Sequence, residues 1–412
     1  MDFYLKILIY GINYSPELVG IGKYSGEMGA WLVAQGHEVT VITAPPYYPD
    51  WRIRSTFSKW LYSRKKTHDL TIWRCPLFVP LRPNALLRLL HLISFALSSL
   101  PIMAMQILWR PNIVFLVAPT LFCAPGAILL AKLTSAKSII HIQDFEVDAL
   151  FSLDLLSSGP FIPILKRVAY IFESFMLRSF DLVSTISIGM MDCALNKGVD
   201  SSNLRLLTNW SEISRFKNPK PSFDLLHRLG VHTAQKIILY SGNMGEKQGL
   251  ENVLLAAQYL QLKKELVFLL VGDGASRNRL LNMASDLNLQ NVIFAPLQSN
   301  EDFPALLGSA YVHLVIQKRG VADAVLPSKL TNILAAGGNA VITADPSTTL
   351  GRLPAEHPGI ALVIEPESVE ALIFGIEKAL TMPLPNPVAQ NYAREFLDKE
   401  VVLLKFFNDV GA

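Results

Sequence analysis

Ten short apolar runs punctuate this chain, each closing in a turn and most followed by a stretch of helical periodicity. They fall at residues 7–10, 39–43, 113–117, 138–142 and 182–184, then at 237–241, 267–271, 292–295, 312–316 and 340–343. A strand covered on both faces reads as an unbroken apolar run, and strands alternating with helices require parallel sheets joined by right-handed crossovers. The predicted class is therefore α/β, with two doubly wound, Rossmann-like halves. The seam lies across 207–235, where Asn218-Pro-Lys-Pro221 and the polar stretch 230–235 interrupt the periodicity. Residues 1–207 form the expected first domain and 208–386 the second, with a last helix over 387–412 expected to pack back on the first. No sequence repeat relates the halves.

With 412 residues, 51% of them hydrophobic and 17% charged, the chain must build substantial cores, which excludes a disordered or fibrous protein. The formal charge of +3 excludes a chain living mainly on nucleic-acid phosphates, so no nucleic-acid partner is expected. The charge is unevenly spread. Residues 51–88 carry nine basic residues against Asp69 alone, interleaved with Trp51, Phe57, Trp60, Tyr62 and Trp73. That combination suits an anionic membrane surface. Residues 89–109 then run without a formal charge, but Pro101, Gln106 and a stripe of His91, Ser94 and Ser98 interrupt them. This predicts a helix on the membrane surface, with a buried helix and a true span as the alternatives. Cys75, Cys123 and Cys193 are odd in number and widely spaced, giving neither a disulfide framework nor zinc-ligand spacing. A reducing cytoplasm is expected, and the N-terminus enters a strand directly with no secretory leader.

Candidate chemistry gathers where predicted strands end. Gly11-Ile-Asn-Tyr-Ser-Pro-Glu-Leu-Val-Gly20-Ile-Gly22-Lys23 joins the first strand to a helix over 24–35, and Gly242-Asn243-Met-Gly-Glu-Lys247-Gln-Gly249 does the same in the second half before a helix over 250–260. Glycines at such a junction let backbone N–H groups approach an anion at a helix N-terminus. The spacing is that of neither the dinucleotide fingerprint nor the P-loop. Facing one another across a central cleft, the two turns would bracket a nucleotide diphosphate. Gly272 and Gly274 end another strand, Arg319 ends a later one, and Lys329 opens a helix after Pro327 and Ser328. With Lys247, the cations Arg319 and Lys329 could stabilise a departing pyrophosphate.

Asp144-Phe-Glu146-Val-Asp148 follows the strand 138–142 and ends a stretch without acidic residues that begins after Asp69. Asp144 is the leading candidate for orienting or deprotonating an acceptor hydroxyl, with Glu146 and His141 as alternatives. No two aspartates stand two apart, so the paired-aspartate metal arrangement of many sugar-nucleotide enzymes is missing and neither metal nor cofactor is expected.

Gly11 to Lys23, Gly242 to Gly249, Gly272 to Gly274 and the stretch 326–337 together resemble glycosyltransferase family 4. The resemblance implies the GT-B fold, two Rossmann-like domains facing a cleft. Tyr10-Gly-Ile-Asn-Tyr-Ser-Pro-Glu, Thr43-Ala-Pro-Pro-Tyr-Tyr-Pro, His141-Ile-Gln-Asp-Phe-Glu-Val-Asp and Asn209-Trp-Ser-Glu-Ile look like a branch of that family acting in colanic acid, an exopolysaccharide. That branch implies transfer of a sugar, fucose from GDP-fucose, to a polyprenyl-diphosphate-linked oligosaccharide at the cytoplasmic face of the inner membrane. The resemblance also assigns Gly242, Gly249, Gly272, Gly274 and Pro327-Ser328-Lys329 to the donor. It departs from the broad pattern at Asn243, Gln248, Ala324 and Asn332, which stand where the family carries an arginine, a lysine and two glutamates. Lys247 and Lys329 would replace the lost cations. Two rival readings remain open from the residues: a sugar-nucleotide epimerase of the same fold, and a non-catalytic sugar-nucleotide-binding scaffold.

Overall fold

The structure, a computed structural model, describes residues 4–17, 20–48, 50–81, 85–148, 162–216, 219–232, 234–299, 301–320 and 328–411. It divides into two units, Met1–Leu207 with Lys405–Ala412, and Thr208–Leu404. Each is built on one sheet, and all but one of the strand pairings are parallel, giving the two-domain α/β architecture of the GT-B fold.

The first sheet runs in the order β3 (Ser63–Thr67), β4 (Leu70–Arg74), β2 (Glu38–Thr43), β1 (Lys6–Tyr10), β5 (Ile113–Ala118), β6 (Lys137–Ile142), β7 (Leu182–Thr185) and β8 (Leu204–Leu206). Its centre is the most apolar part, since β1 is flanked on both sides: Ile7 pairs with Val39 of β2 and with Ile113 of β5. Ile7, Leu8, Tyr10 and the whole of β5 are buried, as strands covered on both faces must be. The basic segment 51–88 contains an antiparallel hairpin, β3–β4, that apolar periodicity does not announce. Every residue of β3 is exposed, and its Arg64, Lys65 and Lys66 protect an open sheet edge from pairing with another strand.

The connecting helices are α1 (Gly20–Ala34), α2 (Ala85–Trp109), α3 (Ala124–Thr134), α4 (Ile162–Leu177) and α5 (Ile188–Asn196). Right-handed crossovers place α2, α3, α4 and α5 on one face of the sheet, because each leads the chain in the direction from β4 towards β8, and place α1 on the other, because it leads from β1 back to β2. On the α1 side, Trp31 stacks 5.7 Å from Phe407, and Phe406 packs edge-on to Phe115.

Helix α2 is long and apolar enough to cross a membrane, yet it is stitched to its own domain. Phe95, Ser99, Ile102, Met103 and Gln106 form a buried stripe at helical spacing. Polar residues on this side tie the helix to the domain: His91 Nδ1 donates to the Phe78 carbonyl, while its buried Nε2 has no partner among the described residues, Ser98 Oγ donates to the Pro76 carbonyl, and Ser99 Oγ lies 2.5 Å from the Tyr10 hydroxyl. Tyr62 donates to the Ser98 carbonyl, tying the loop before β3 to the helix. The polar stripe that interrupts the apolar sequence therefore faces the protein, and Leu86, Leu90, Leu97, Leu100 and Leu108 face outward.

The second sheet has the order β11 (Val292–Ala295), β10 (Leu266–Val271), β9 (Lys236–Ser241), β12 (Ala310–Val315), β13 (Ala340–Thr343) and β14 (Ala361–Ile364). Helices α6 (Glu251–Tyr259), α7 (Arg277–Asp286), α8 (Ser328–Ala335) and α9 (Val369–Ala379) cover it, with one apolar cluster on each face. Phe268 and Ile238 belong to one cluster, and their neighbours Leu269 and Leu239 to the other, as the two-residue period of a strand requires. A terminal helix α10 (Lys399–Asp409) closes the chain. Its end joins the first unit, where Lys137 Nζ donates to the Val410 carbonyl, whereas residues 387–404 belong with the second.

Candidate active site

In a parallel sheet every strand ends at the same edge, so the segments after β1, β2, β4, β5 and β6 emerge together in the first unit. The segment after β1 is pinned by Glu17, a residue the sequence did not single out. Glu17 is 2% exposed; its Oε1 accepts from the N–H groups of Tyr47 and Tyr48 at 3.0 and 3.1 Å, and its Oε2 from Asn13 Nδ2 at 2.9 Å. Arg74, at the end of β4, completes the device by donating to the carbonyls of Ala44 at 2.7 Å and Ser15 at 2.5 Å. Burial pulls Arg74 down to about 10 and raises Glu17, which hydrogen bonds and Arg74 partly restore. Gly22 packs against this carboxylate, since a Cβ there would meet Glu17 at 2.6 Å. Gly20 starts α1, and Lys23 lies along its own helix, 3.9 Å from Glu27 and over the Tyr24 ring.

The carboxylates after β6 divide by role. Asp144 is exposed, and partial burial of its carboxyl raises it. Glu146 turns inward. Its Oε2 accepts from the Leu121 N–H at 2.9 Å, its Oε1 has no hydrogen-bond partner among the described residues, and burial pushes it up to about 7. Asp148 anchors the turn: it accepts from the Tyr170 hydroxyl at 2.6 Å and pairs at 3.0 Å with Lys197, whose ammonium also meets the buried Glu173 at 2.5 Å. His141 is a core residue. It is 3% exposed, its Nδ1 lies 2.9 Å from Ser184 Oγ and its Nε2 2.9 Å from Gln143 Nε2, and burial holds it neutral, at about 3. With both nitrogens engaged, it has none left to face an acceptor.

In the second unit the two glycine segments lie against each other. A Cβ on Gly272 would stand 1.9 Å from the Gly242 carbonyl oxygen and one on Gly274 2.6 Å from that of Met244. Their φ values of +151° and +153° also favour glycine. These two glycines thus secure the packing of the turns after β9 and β10. Gly249 closes the short helical turn that carries Lys247, and Asn243 is exposed, with its carbonyl accepting from the Tyr240 hydroxyl at 2.5 Å.

The cations differ sharply. Both ends of the Arg319 guanidinium are engaged, with Asp345 at 2.9 Å and Glu365 at 2.7 Å. Lys247 is exposed. Lys329, in the first turn of α8, is half-buried; its ammonium lies 4.7 Å over the Tyr240 ring, and a Cβ on Gly242 would be 3.8 Å from it. It has no carboxylate partner among the described residues, and desolvation pulls it down to about 8. Pro327 lies outside the described residues, as does the side chain of Ser328, whose backbone opens α8. Asn332, one helical turn on, accepts from Ser211 Oγ at 2.8 Å.

An amine desolvated without a counter-charge beside a glycine turn is a ready anion site. The comparisons with known proteins bear on family and fold. Residues 19–210 match the family described as Glycosyl transferase 4-like domain and residues 225–396 that described as Glycosyl transferases group 1. The chain is 55% identical, over 98% of its length and all of the relative's, to the Escherichia coli (strain K12) protein WcaI, named as a colanic acid biosynthesis glycosyl transferase. Among solved structures it superposes on sucrose-phosphate synthase from Thermosynechococcus elongatus with a TM-score of 0.70 at 17% identity, covering 99% of this chain and 98% of that one. It also superposes on Anabaena Alr3699/HepE in complex with UDP with a TM-score of 0.69 at 13% identity, covering 99% and 100%.

Proposed function

This chain belongs to the glycosyltransferases with a 4-like first domain and a group 1 second domain, and we propose that it transfers a sugar from a nucleotide diphosphate donor to a lipid-linked acceptor in colanic acid assembly. The observation that carries the donor half of this reading is Lys329, half-buried beside Gly242 with no carboxylate partner among the described residues. A diphosphate would supply the missing charge, and as it departs Lys329 would stabilise the negative charge that develops on it. The neighbour solved with UDP supports a nucleotide diphosphate as the ligand class. The donor sugar is fucose, carried by GDP, by likeness to the colanic acid branch.

The first unit presents the acceptor. Asp144, exposed at the carboxyl edge of its sheet, orients or deprotonates the acceptor hydroxyl, with Glu146, pushed up to about 7 by burial, as the alternative. The acceptor is a polyprenyl-diphosphate-linked oligosaccharide, met at the cytoplasmic face of the inner membrane. The outward leucines of α2 and the exposed cations of β3 support that location.

The test is to incubate purified protein with labelled nucleotide sugars, GDP-fucose included, with and without lipid-linked oligosaccharide from a producing strain. Label entering lipid from GDP-fucose only when acceptor is present is the expected result. Label from a different donor would overturn the choice of fucose, and donor conversion without acceptor would overturn sugar transfer to lipid.

A further inference from the structure

The first unit has two helical faces, and they differ in what they show to the surroundings. Helix α1 exposes no large apolar side chain among its described residues, and its Trp31 is covered by Phe407. The opposite face, where the crossover rule puts α2, α3 and α4 together, exposes them throughout. Leu97 of α2 is 62% exposed, Leu129 of α3 58%, and Ile164 and Phe175 of α4 63% and 58%.

These helices form one continuous layer. A Cβ on Gly126 of α3 would lie 3.6 Å from the Leu100 side chain of α2, and Phe122, just before α3, stacks 6.4 Å from Phe172 of α4. Helix α4 is held by its inner side: Glu173 is buried against Lys197, and Met176 and Leu177 enter the core. That leaves Ile164, Val168, Ile171 and Phe175 as an outward stripe, spaced at four, three and four residues as a helix face requires. An apolar layer this broad on a folded domain marks an interaction surface.

The charges on the layer identify what covers it. Across α2, α3 and α4 the exposed charged side chains are Arg88, Lys132, Lys166 and Arg167, all cations; Glu173 is buried and paired, and the exposed Asp192 of this face lies on α5, at the β8 end of the sheet. A second copy of the same face would bring these cations together across an apolar contact, which is repulsive, whereas an anionic lipid surface meets both the apolar stripes and the charge.

We infer that α4, with α3, is a second membrane-contacting element beside α2, so that the whole α2–α3–α4 layer lies on an anionic bilayer and enters one leaflet. The inference rests on the proposed membrane location but extends it to a helix that sequence polarity did not single out. It also defines an orientation, with the sheet face carrying α2 to α4 towards the lipid and the α1 face away from it.

The test uses the full chain and sedimentation with vesicles of phosphatidylethanolamine and phosphatidylglycerol, with phosphatidylcholine vesicles as the uncharged control. The double variant Ile171→Gln, Phe175→Gln should lower partitioning by about tenfold or more through lost apolar burial. Its thermal unfolding and nucleotide binding should match the wild type, because both side chains lie outside the core. The pair Lys166→Gln, Arg167→Gln should weaken binding to the anionic vesicles and leave binding to phosphatidylcholine unchanged. Wild-type partitioning by the α4 double variant, alongside loss in Leu97→Gln, Leu100→Gln, would overturn the role of α4 while leaving that of α2 standing. A stable dimer in sedimentation velocity that the α4 substitutions dissociate would give the layer to a second copy. Failure of the wild type to bind either vesicle would overturn the inference and the membrane location together.

Discussion

The two glycine-bearing turns that open the crossovers of the two units look alike in sequence, and the structure separates them. After β1, each strong polar group has a protein partner: Glu17 takes three N–H donors and Arg74 takes two carbonyls. After β9, the turn lies beside Lys329, whose ammonium has lost solvent without gaining a carboxylate among the described residues. The first turn is a finished piece of scaffold, and the second, on the proposed reading, is completed by an anion. A buried polar group that is satisfied contributes to the fold, while an unsatisfied one is a cost that folding alone does not explain. Satisfaction of polar groups therefore tells structure from function where glycine spacing cannot.

Substitutions on the two sides should consequently move stability in opposite directions. Glu17→Ala strands two backbone N–H groups and Asn13, and should destabilise the protein by about 2 to 4 kcal/mol. Where the variant still folds, its affinity for nucleoside diphosphate should be unchanged. Lys329→Met should do the reverse, lowering nucleoside diphosphate affinity about ten- to hundredfold, the worth of a charge-assisted contact, while raising Tm at pH 7. Equal destabilisation by both would erase the distinction between the turns. The pH dependence sharpens it further. Folding depresses Lys329 to about 8, so its desolvated charge opposes folding below that value and the protein gains stability as pH rises from there towards the ordinary lysine range. Diphosphate affinity should be level below pH 8 and fall above it, as the free lysine loses its proton.

Glu146 stands between the two cases, with one oxygen satisfied by Leu121 and the other without a partner among the described residues. Its folded value of about 7 lies above that of an ordinary glutamate, so the stability it contributes is complete in acid and is lost as pH rises towards 7. Glu146→Gln, which keeps the shape and removes the charge, should match the wild type in Tm at pH 4 and exceed it at pH 8, by about 1 to 2 kcal/mol of stability. If Glu146 exchanges a proton with the acceptor, the wild-type kcat should inflect near pH 7 and that inflection should vanish in the variant. Coincident Tm curves would remove the buried charge from the account.

Much of the fold was legible because long-range order here rests on local pattern. The ten apolar runs became strands within a residue or two, since a strand buried on both faces must be apolar throughout. β3 escaped notice because an exposed edge strand is specified by charge. At the site, Lys329 was readable as a cation after a turn, but its lack of a carboxylate partner among the described residues was not, because that depends on where the fold places its carboxylates. His141 and Gly272 show the same limit. The His141 partner Ser184 is 43 residues away and Gly272 is constrained by the Gly242 carbonyl, so neither crowding nor hydrogen bonding could be read from spacing. Asp144 was legible as an abrupt acidic cluster, whereas the separate duties of Asp144, Glu146 and Asp148 emerged only with Leu121, Tyr170 and Lys197 in place.

Arg319 supplies the finest test, because sequence alone makes it as good a donor ligand as Lys329. Its guanidinium already spans Asp345 and Glu365, and its own backbone N–H donates to Glu367 at 3.3 Å. A cation held by two carboxylates projects little field onto a third anion, and leaving them would forfeit the pairs it has. These pairs are solvent-exposed, so they contribute little stability themselves. Arg319→Gln should therefore change both Tm and nucleoside diphosphate affinity only slightly, within about 0.5 kcal/mol. A tenfold loss of affinity by calorimetry would mean that Arg319 leaves its carboxylates for the donor. Unpaired charge in the free protein would then be a poor guide to this site, and the contrast between Lys329 and the satisfied residues would lose its force.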